Sequence, residues 1–221
     1  MSCCCGPGGA VVASTNEFFN TQAGRYKKYF QKKGLHKEQK FLVAGIRQGG
    51  INEAEILEIG CGVGGLHLSL LKAGAAKATG FDISEKMIAT ARTLAAEMGL
   101  QERTQYWHGD FVTMHAQAPR VEVTILDKVI CCYPNALELI SLSTEKTRRL
   151  YAVSYPRENF FVRLLFHNFK YVLKLLRQPF HPYYHEPQQI QNWIIESGFE
   201  KVYEKTTIIW LIQVFQRKNP N

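Results

Sequence analysis

The stretch Glu55-Ile56-Leu57-Glu58-Ile59-Gly60-Cys61-Gly62-Val63-Gly64-Gly65 decides how this chain is read. A short apolar run ends in an acid, a glycine-dense turn follows, and an amphipathic segment comes next. That order predicts a strand feeding a backbone-lined pocket at a helix N-terminus. Gly60, Gly62 and Gly65 also satisfy the G-x-G-x-x-G spacing of a dinucleotide-binding turn, which alone is a weak match. Glu58 separates the ligands. Its carboxylate would repel a doubly anionic pyrophosphate in a partly dry site and would welcome an ammonium group.

S-adenosylmethionine carries an α-ammonium and a sulfonium and no phosphate. At Glu58-x-Gly60-x-Gly62-x-Gly64 the chain resembles the class I S-adenosylmethionine-dependent methyltransferases, whose first motif reads acid-x-Gly-x-Gly-x-Gly. Two further elements follow in the same order. Asp82, in Gly80-Phe81-Asp82-Ile83-Ser84, lies at the distance from Gly60 at which an acid reaches a bound ribose. It could also serve the following helix, which Ser84 caps. His108-Gly109-Asp110-Phe111 ends a third strand. The resemblance implies that Asp82 accepts from the ribose hydroxyls and that Ile83 packs on the adenine. It implies likewise that Asp110 meets the adenine amino group and that the Phe111 amide lies on the ring. Glu58, Gly60, Cys61 and Gly62 complete the cofactor set, with Arg25 and Tyr26 of an N-terminal cover folding over the methionine end.

Leu126-Asp127-Lys128-Val129-Ile130-Cys131-Cys132-Tyr133-Pro134 ends the fourth strand, which adjoins the transferable methyl in the resembling fold. Asp127 is expected to face the methionine part or steer a nucleophile, or else to pair with Lys128 or cap a turn. Tyr133 is expected to orient a substrate. The string resembles that of a small single-domain subgroup distantly similar to the magnesium-protoporphyrin O-methyltransferases, although it departs from theirs.

The resemblance implies an α/β fold: a Rossmann-like, doubly wound, mostly parallel seven-stranded sheet with helices on both faces and an antiparallel last strand. The residues alone predict helices over 15–33, 36–47, 64–73, 85–98, 135–143, 158–177 and 187–197. Strands are expected over 55–59, 77–82, 104–108, 121–127 and 149–154, with a terminal hairpin over 200–216. At 221 residues the chain fits one domain. That domain spans 15–221 after a flexible Cys/Gly-rich tail over 1–14, with a helical cover over 15–50 and a candidate substrate lid over 158–186.

Arg163, His167, Lys170, Lys174 and Arg177 form one basic stripe on the otherwise apolar 158–177 segment. It fits a lid over an apolar substrate, a peripheral membrane contact, or a helix buried in the fold. His181 and His185 follow in a proline-flanked aromatic loop and are candidate general bases. No metal site is expected, since these histidines lack a paired acid or thiol nearby.

The net charge of +8 is scattered, with much of it between Arg25 and Lys40. No nucleic-acid-binding motif accompanies it, so an anionic small substrate or solubility is favoured over nucleic acid. Five of the six cysteines lie in two runs of adjacent residues, which is no disulfide framework and indicates a reducing compartment. With no membrane-length apolar run and no signal-peptide core, the expectation is a cytoplasmic protein. Three functions are carried forward. They are transfer of a methyl group from S-adenosylmethionine to a small, partly apolar or anionic acceptor; NAD(P)-dependent oxidoreduction; and non-catalytic binding of S-adenosylmethionine. The N-terminal cysteines and the oligomeric state are not assigned.

Overall fold

A computed structural model describes residues 15–159 and 182–219. The basic stripe over 163–177, His181, the 1–14 tail and most of the candidate lid lie outside the described residues. After a helical stretch over 15–20 come α1 (Ala23–Lys33), α2 (Lys37–Gln48), β1 (Glu55–Ile59), α3 (Gly65–Lys72) and β2 (Lys77–Asp82). There follow α4 (Glu85–Glu97), β3 (Thr104–His108), α5 (Phe111–Met114), β4 (Val121–Asp127), α6 (Ala136–Glu145) and β5 (Thr147–Pro156). The chain ends with α7 (Pro187–Glu196), β6 (Phe199–Thr206) and β7 (Trp210–Arg217).

The seven strands form one sheet in the order β3-β2-β1-β4-β5-β7-β6. Pairings among β1 to β5 are parallel, and β7 runs antiparallel to both β5 and β6. Strand order reverses between β1 and β4, which opens a crevice at their carboxyl ends, where ligands of open α/β sheets bind.

Alternation along the strands divides the core in two. Ile56, Leu150 and Ala152 join the cluster that holds Leu42 and Ile46 of α2, Leu66 of α3 and Ala91 of α4. Leu57, Tyr151 and Val153 face the other side, with Leu139 of α6 and Ile190 of α7. The sheet is therefore covered on both faces, as near-continuous burial in β1, β4 and β5 requires. Among the described residues no helix is long and apolar enough to cross a membrane.

The helix expected over 15–33 is two pieces. Thr21 donates its hydroxyl to the Phe18 carbonyl at 2.7 Å, and Asn20 Oδ1 accepts from Ser84 Oγ at 2.7 Å and from Lys86 N at 3.1 Å. Such local and tertiary bonds compete with the helical ladder. They tie the cover to the start of α4. β5 is longer than the expected 149–154. Arg148 pairs with Glu122 of β4 and Arg149 donates to the carbonyls of Gly49 and Gly50, so two arginines continue the strand instead of ending it.

Candidate functional site

Gly60, Gly62 and Gly64 all take positive φ, at 65°, 54° and 81°. At Gly60 a side chain is excluded twice, because a Cβ there would also stand 2.3 Å from Val129 Cγ2. A Cβ on Gly62 would meet no atom within 4 Å, since this residue borders a cavity. The turn thus brings bare backbone to the crevice and then starts α3.

The first turn of α3 already has its anion. Glu58 Oε2 accepts from the amide of His67 at 3.2 Å and lies 2.6 Å from His67 Nδ1. On the far side of the ring, Nε2 is 2.8 Å from the hydroxyl of Tyr106. Glu58 and His67 are buried. Burial raises the Glu58 pKa, and its bonds to His67 work against that rise. Burial also pushes the Tyr106 phenol up, so Tyr106 O–H donates to Nε2 and Nδ1–H donates to Glu58. Glu58, expected beside the ligand, is placed beneath the turn and outside the cavity wall. Cys61 is likewise core: a Cβ on Gly80 would stand 2.8 Å from its Sγ.

The cavity occupies about 690 Å³ above the carboxyl ends of β1 to β4. Gly60, Gly62, Asp82, Ile83, Asp110 and Phe111 line one part of it. Asp82 Oδ2 accepts from Gly62 N at 2.7 Å and Oδ1 from Ser84 N at 2.8 Å. Its pKa is pushed up to about 6 by burial, against the two backbone bonds that favour the charge. Asp110 caps α5 by accepting from Val112 N at 3.0 Å, and burial raises its pKa as well. Phe111 is fixed edge-on against Phe81, with ring centroids 5.5 Å apart.

Asp127, Lys128, Val129, Cys132, Tyr133 and Pro134 line the other part. Asp127 accepts from Ser154 Oγ at 2.5 Å and from Gln39 Nε2 at 2.9 Å. Gln39 also bonds the backbone N of His36, at the start of α2, through its Oε1. Lys128 pairs with Glu38 in the same turn of α2, not with Asp127. Sequence reasoning offered Lys128 only as a partner of Asp127 and missed Glu38 and Gln39, whose meeting with it depends on α2 reaching the end of β4. The Tyr133 hydroxyl is buried and has no hydrogen-bond partner among the described residues.

Tyr26 lines the cavity roof, while Arg25 is exposed and does not border the cavity. His185 also stands outside the wall. Its Nε2 donates to the Tyr133 carbonyl at 2.7 Å, and Tyr183 N donates to the Cys131 carbonyl at 2.7 Å. Burial lowers the His185 pKa, which keeps the ring neutral. The structure makes it a support for the Cys131–Tyr133 loop.

Residues 56–148 match the methyltransferase domain family. The match covers β1 through the start of β5 and includes Asp82, Asp110 and Asp127. A ubiquinone biosynthesis O-methyltransferase of Aromatoleum aromaticum is 27% identical over 167 residues, spanning 70% of this chain and 67% of that protein. The magnesium protoporphyrin IX methyltransferase of Synechocystis PCC 6803, solved with bound S-adenosylhomocysteine, superposes with a TM-score of 0.71 at 21% identity. That superposition covers 94% of this chain and all of the other. The [4+2]-cyclase SpnF superposes with a TM-score of 0.63 at 13% identity, over 81% of each chain. Residues 56–148 thus match a methyltransferase domain, and the fold is one shared with solved methyltransferases. SpnF is a reminder that a shared fold does not fix the reaction, which has to be argued from the methyltransferase domain's own residues.

Proposed function

We propose that the protein moves the methyl group of S-adenosylmethionine to a small, largely apolar acceptor by in-line displacement at the sulfonium. The observation that carries this reading is Asp82. Its carboxylate is anchored on Gly62 and Ser84 and still borders the cavity, as a group that accepts from a ribose diol must. With Glu58 taking an amide of α3, a pyrophosphate at that helix start would meet a buried carboxylate. The same contact weakens the NAD(P) alternative.

In this reading Ile83 and Phe111 flank the adenine, Asp110 meets its amino group, and Asp127 takes the α-ammonium at the far end. Tyr26 closes the roof. The acceptor lies against Val129, Cys132, Pro134 and Tyr183, with the Tyr133 hydroxyl offering the polar contact that orients it. Two relatives are named for small-molecule chemistry, ubiquinone biosynthesis and magnesium protoporphyrin IX, which agrees with that class.

The sulfonium is already an activated leaving group. Alignment therefore supplies most of the catalysis, up to roughly 7–11 kcal/mol in favourable cases. The carbon–sulfur bond breaks as the acceptor's lone pair forms the new bond, leaving S-adenosylhomocysteine. An acceptor that carries a proton releases it to solvent. The test is incubation of the full chain with methyl-labelled donor and a metabolite extract, read by mass spectrometry. Label in one small apolar product is expected. S-adenosylhomocysteine binding with no labelled product across a broad acceptor panel would favour a non-catalytic binding module.

A further inference from the structure

We propose that Lys128 is the specificity-determining residue for the amino-acid end of the cofactor, its ammonium receiving the α-carboxylate beside Asp127. This rests on the S-adenosylmethionine reading above. Among the described residues, Lys128 is the one lysine or arginine that lines the cavity.

Its position is held against a backbone penalty. Lys128 has φ +61°, a left-handed conformation that is strained for a residue with a side chain. Two bonds from its amide fix it there, to Ser154 O and Ser154 Oγ, both at 3.0 Å. Non-glycine residues held in such regions concentrate at ligand-binding sites. The ammonium is then steered by an ion pair to Glu38 and by the Trp210 ring, whose centroid lies 5.3 Å away. Burial pulls the Lys128 pKa down, but the neighbouring Asp127 and Glu38 outweigh it and hold the group charged.

The cavity geometry says which part of the ligand arrives there. Asp82 and Asp110 fix the nucleoside at the ends of β2 and β3. A ligand extended along the strand order β3-β2-β1-β4 brings its other end to β4, where Asp127 and Lys128 are adjacent. An α-amino acid carries a carboxylate and an ammonium on one carbon. Adjacent opposite charges on the wall match that zwitterion. Glu38 holds the lysine in place while the cavity is empty, and the α-carboxylate competes for it on binding.

The experiment is calorimetry on the full chain with two ligands. S-adenosylhomocysteine has the amino-acid end, and 5′-methylthioadenosine has the same adenosine and thioether without it. Lys128→Met should weaken S-adenosylhomocysteine by about 10- to 100-fold, the range for a lost hydrogen bond to a charged group. It should leave 5′-methylthioadenosine within about twofold, which also shows that the variant is folded. Lys128→Arg should retain most of the affinity. Glu38→Gln, which frees the lysine, should bind S-adenosylhomocysteine at least as tightly as the natural chain. Equal weakening of both ligands by Lys128→Met, or weakening of neither, overturns the assignment. Failure of the natural chain to bind either ligand would instead overturn the cofactor reading, and this inference with it.

Discussion

Oε2 of Glu58 lies 2.6 Å from Nδ1 of His67 and 3.2 Å from the amide nitrogen of the same residue. One oxygen therefore holds both the imidazole and the start of α3. Because the His67 ring also packs under Gly64, the pair sets the shape of the turn above it.

Removing the carboxylate while leaving His67 should be costly. Glu58→Ala leaves the His67 amide and Nδ1–H buried without their acceptor, a loss of about 1–3 kcal/mol per group, and should lower the urea midpoint. Glu58→Gln keeps an oxygen for the His67 amide and should lose about half as much. An unchanged midpoint in Glu58→Ala would show that the pair contributes little.

Asp82 gives a pH dependence of defined sign. Its folded pKa is about 6, above the usual carboxylate value, so the protonated form prevails in the empty site below that pH. A protonated carboxyl cannot accept from both ribose hydroxyls with charge assistance, so affinity for S-adenosylhomocysteine should fall as pH drops through about 6. In the empty protein the raised pKa acts oppositely on stability. This group's contribution is fully present below the unfolded carboxylate pKa and is lost as pH rises through about 6. Binding isotherms from pH 5 to 8 on the natural chain and on Asp82→Asn check this. The variant should bind more weakly at pH 8 with a flattened profile, and identical slopes would rule Asp82 out as their source.

Gly60 and Gly62 should differ in their tolerance of alanine. Both have left-handed backbone, which costs alanine about 1–2 kcal/mol. Only Gly60 adds a collision with Val129, so Gly60→Ala should lose clearly more stability in a denaturant titration than Gly62→Ala. The reverse order would contradict the geometry of the turn.

Much of this arrangement was legible in the sequence because it is local. The glycine spacing, the acids ending β2 and β3 and the apolar run of β4 are all patterns of near neighbours. Ser84 caps α4 as its position suggests, accepting from Met87 N at 3.1 Å. The seven-stranded, mostly parallel sheet with its antiparallel final strand matches what the family resemblance implied. What periodicity cannot show is which distant residue meets which. Lys128 finds Glu38 rather than Asp127 because α2 lands on the end of β4. The partner of Glu58 did leave a trace: His67 is the one imidazole in the apolar run Leu66-His67-Leu68, and a buried polar side chain there needs a partner. His185, read as a candidate base, is taken by a backbone carbonyl that no spacing rule reveals.

Tyr133 separates orientation from stability. Its hydroxyl is buried without a partner among the described residues, so Tyr133→Phe should leave the melting temperature unchanged or slightly raised. Acceptor turnover should fall by about tenfold, on the order of one lost hydrogen bond, while S-adenosylhomocysteine affinity stays put. A drop in melting temperature with unaltered turnover would assign the hydroxyl to the fold instead.

The most direct measurement is a thermal-shift titration of the full chain with S-adenosylhomocysteine and, separately, with nicotinamide dinucleotides. At a hundredfold excess over its Kd, a ligand that binds only the folded chain adds about 2.7 kcal/mol, or roughly 5–10 °C for a protein of this size. A rise of that order with S-adenosylhomocysteine, absent with the dinucleotides and reduced in Asp82→Ala, is the expected result. Stabilisation by a nicotinamide dinucleotide and none by S-adenosylhomocysteine would contradict the account.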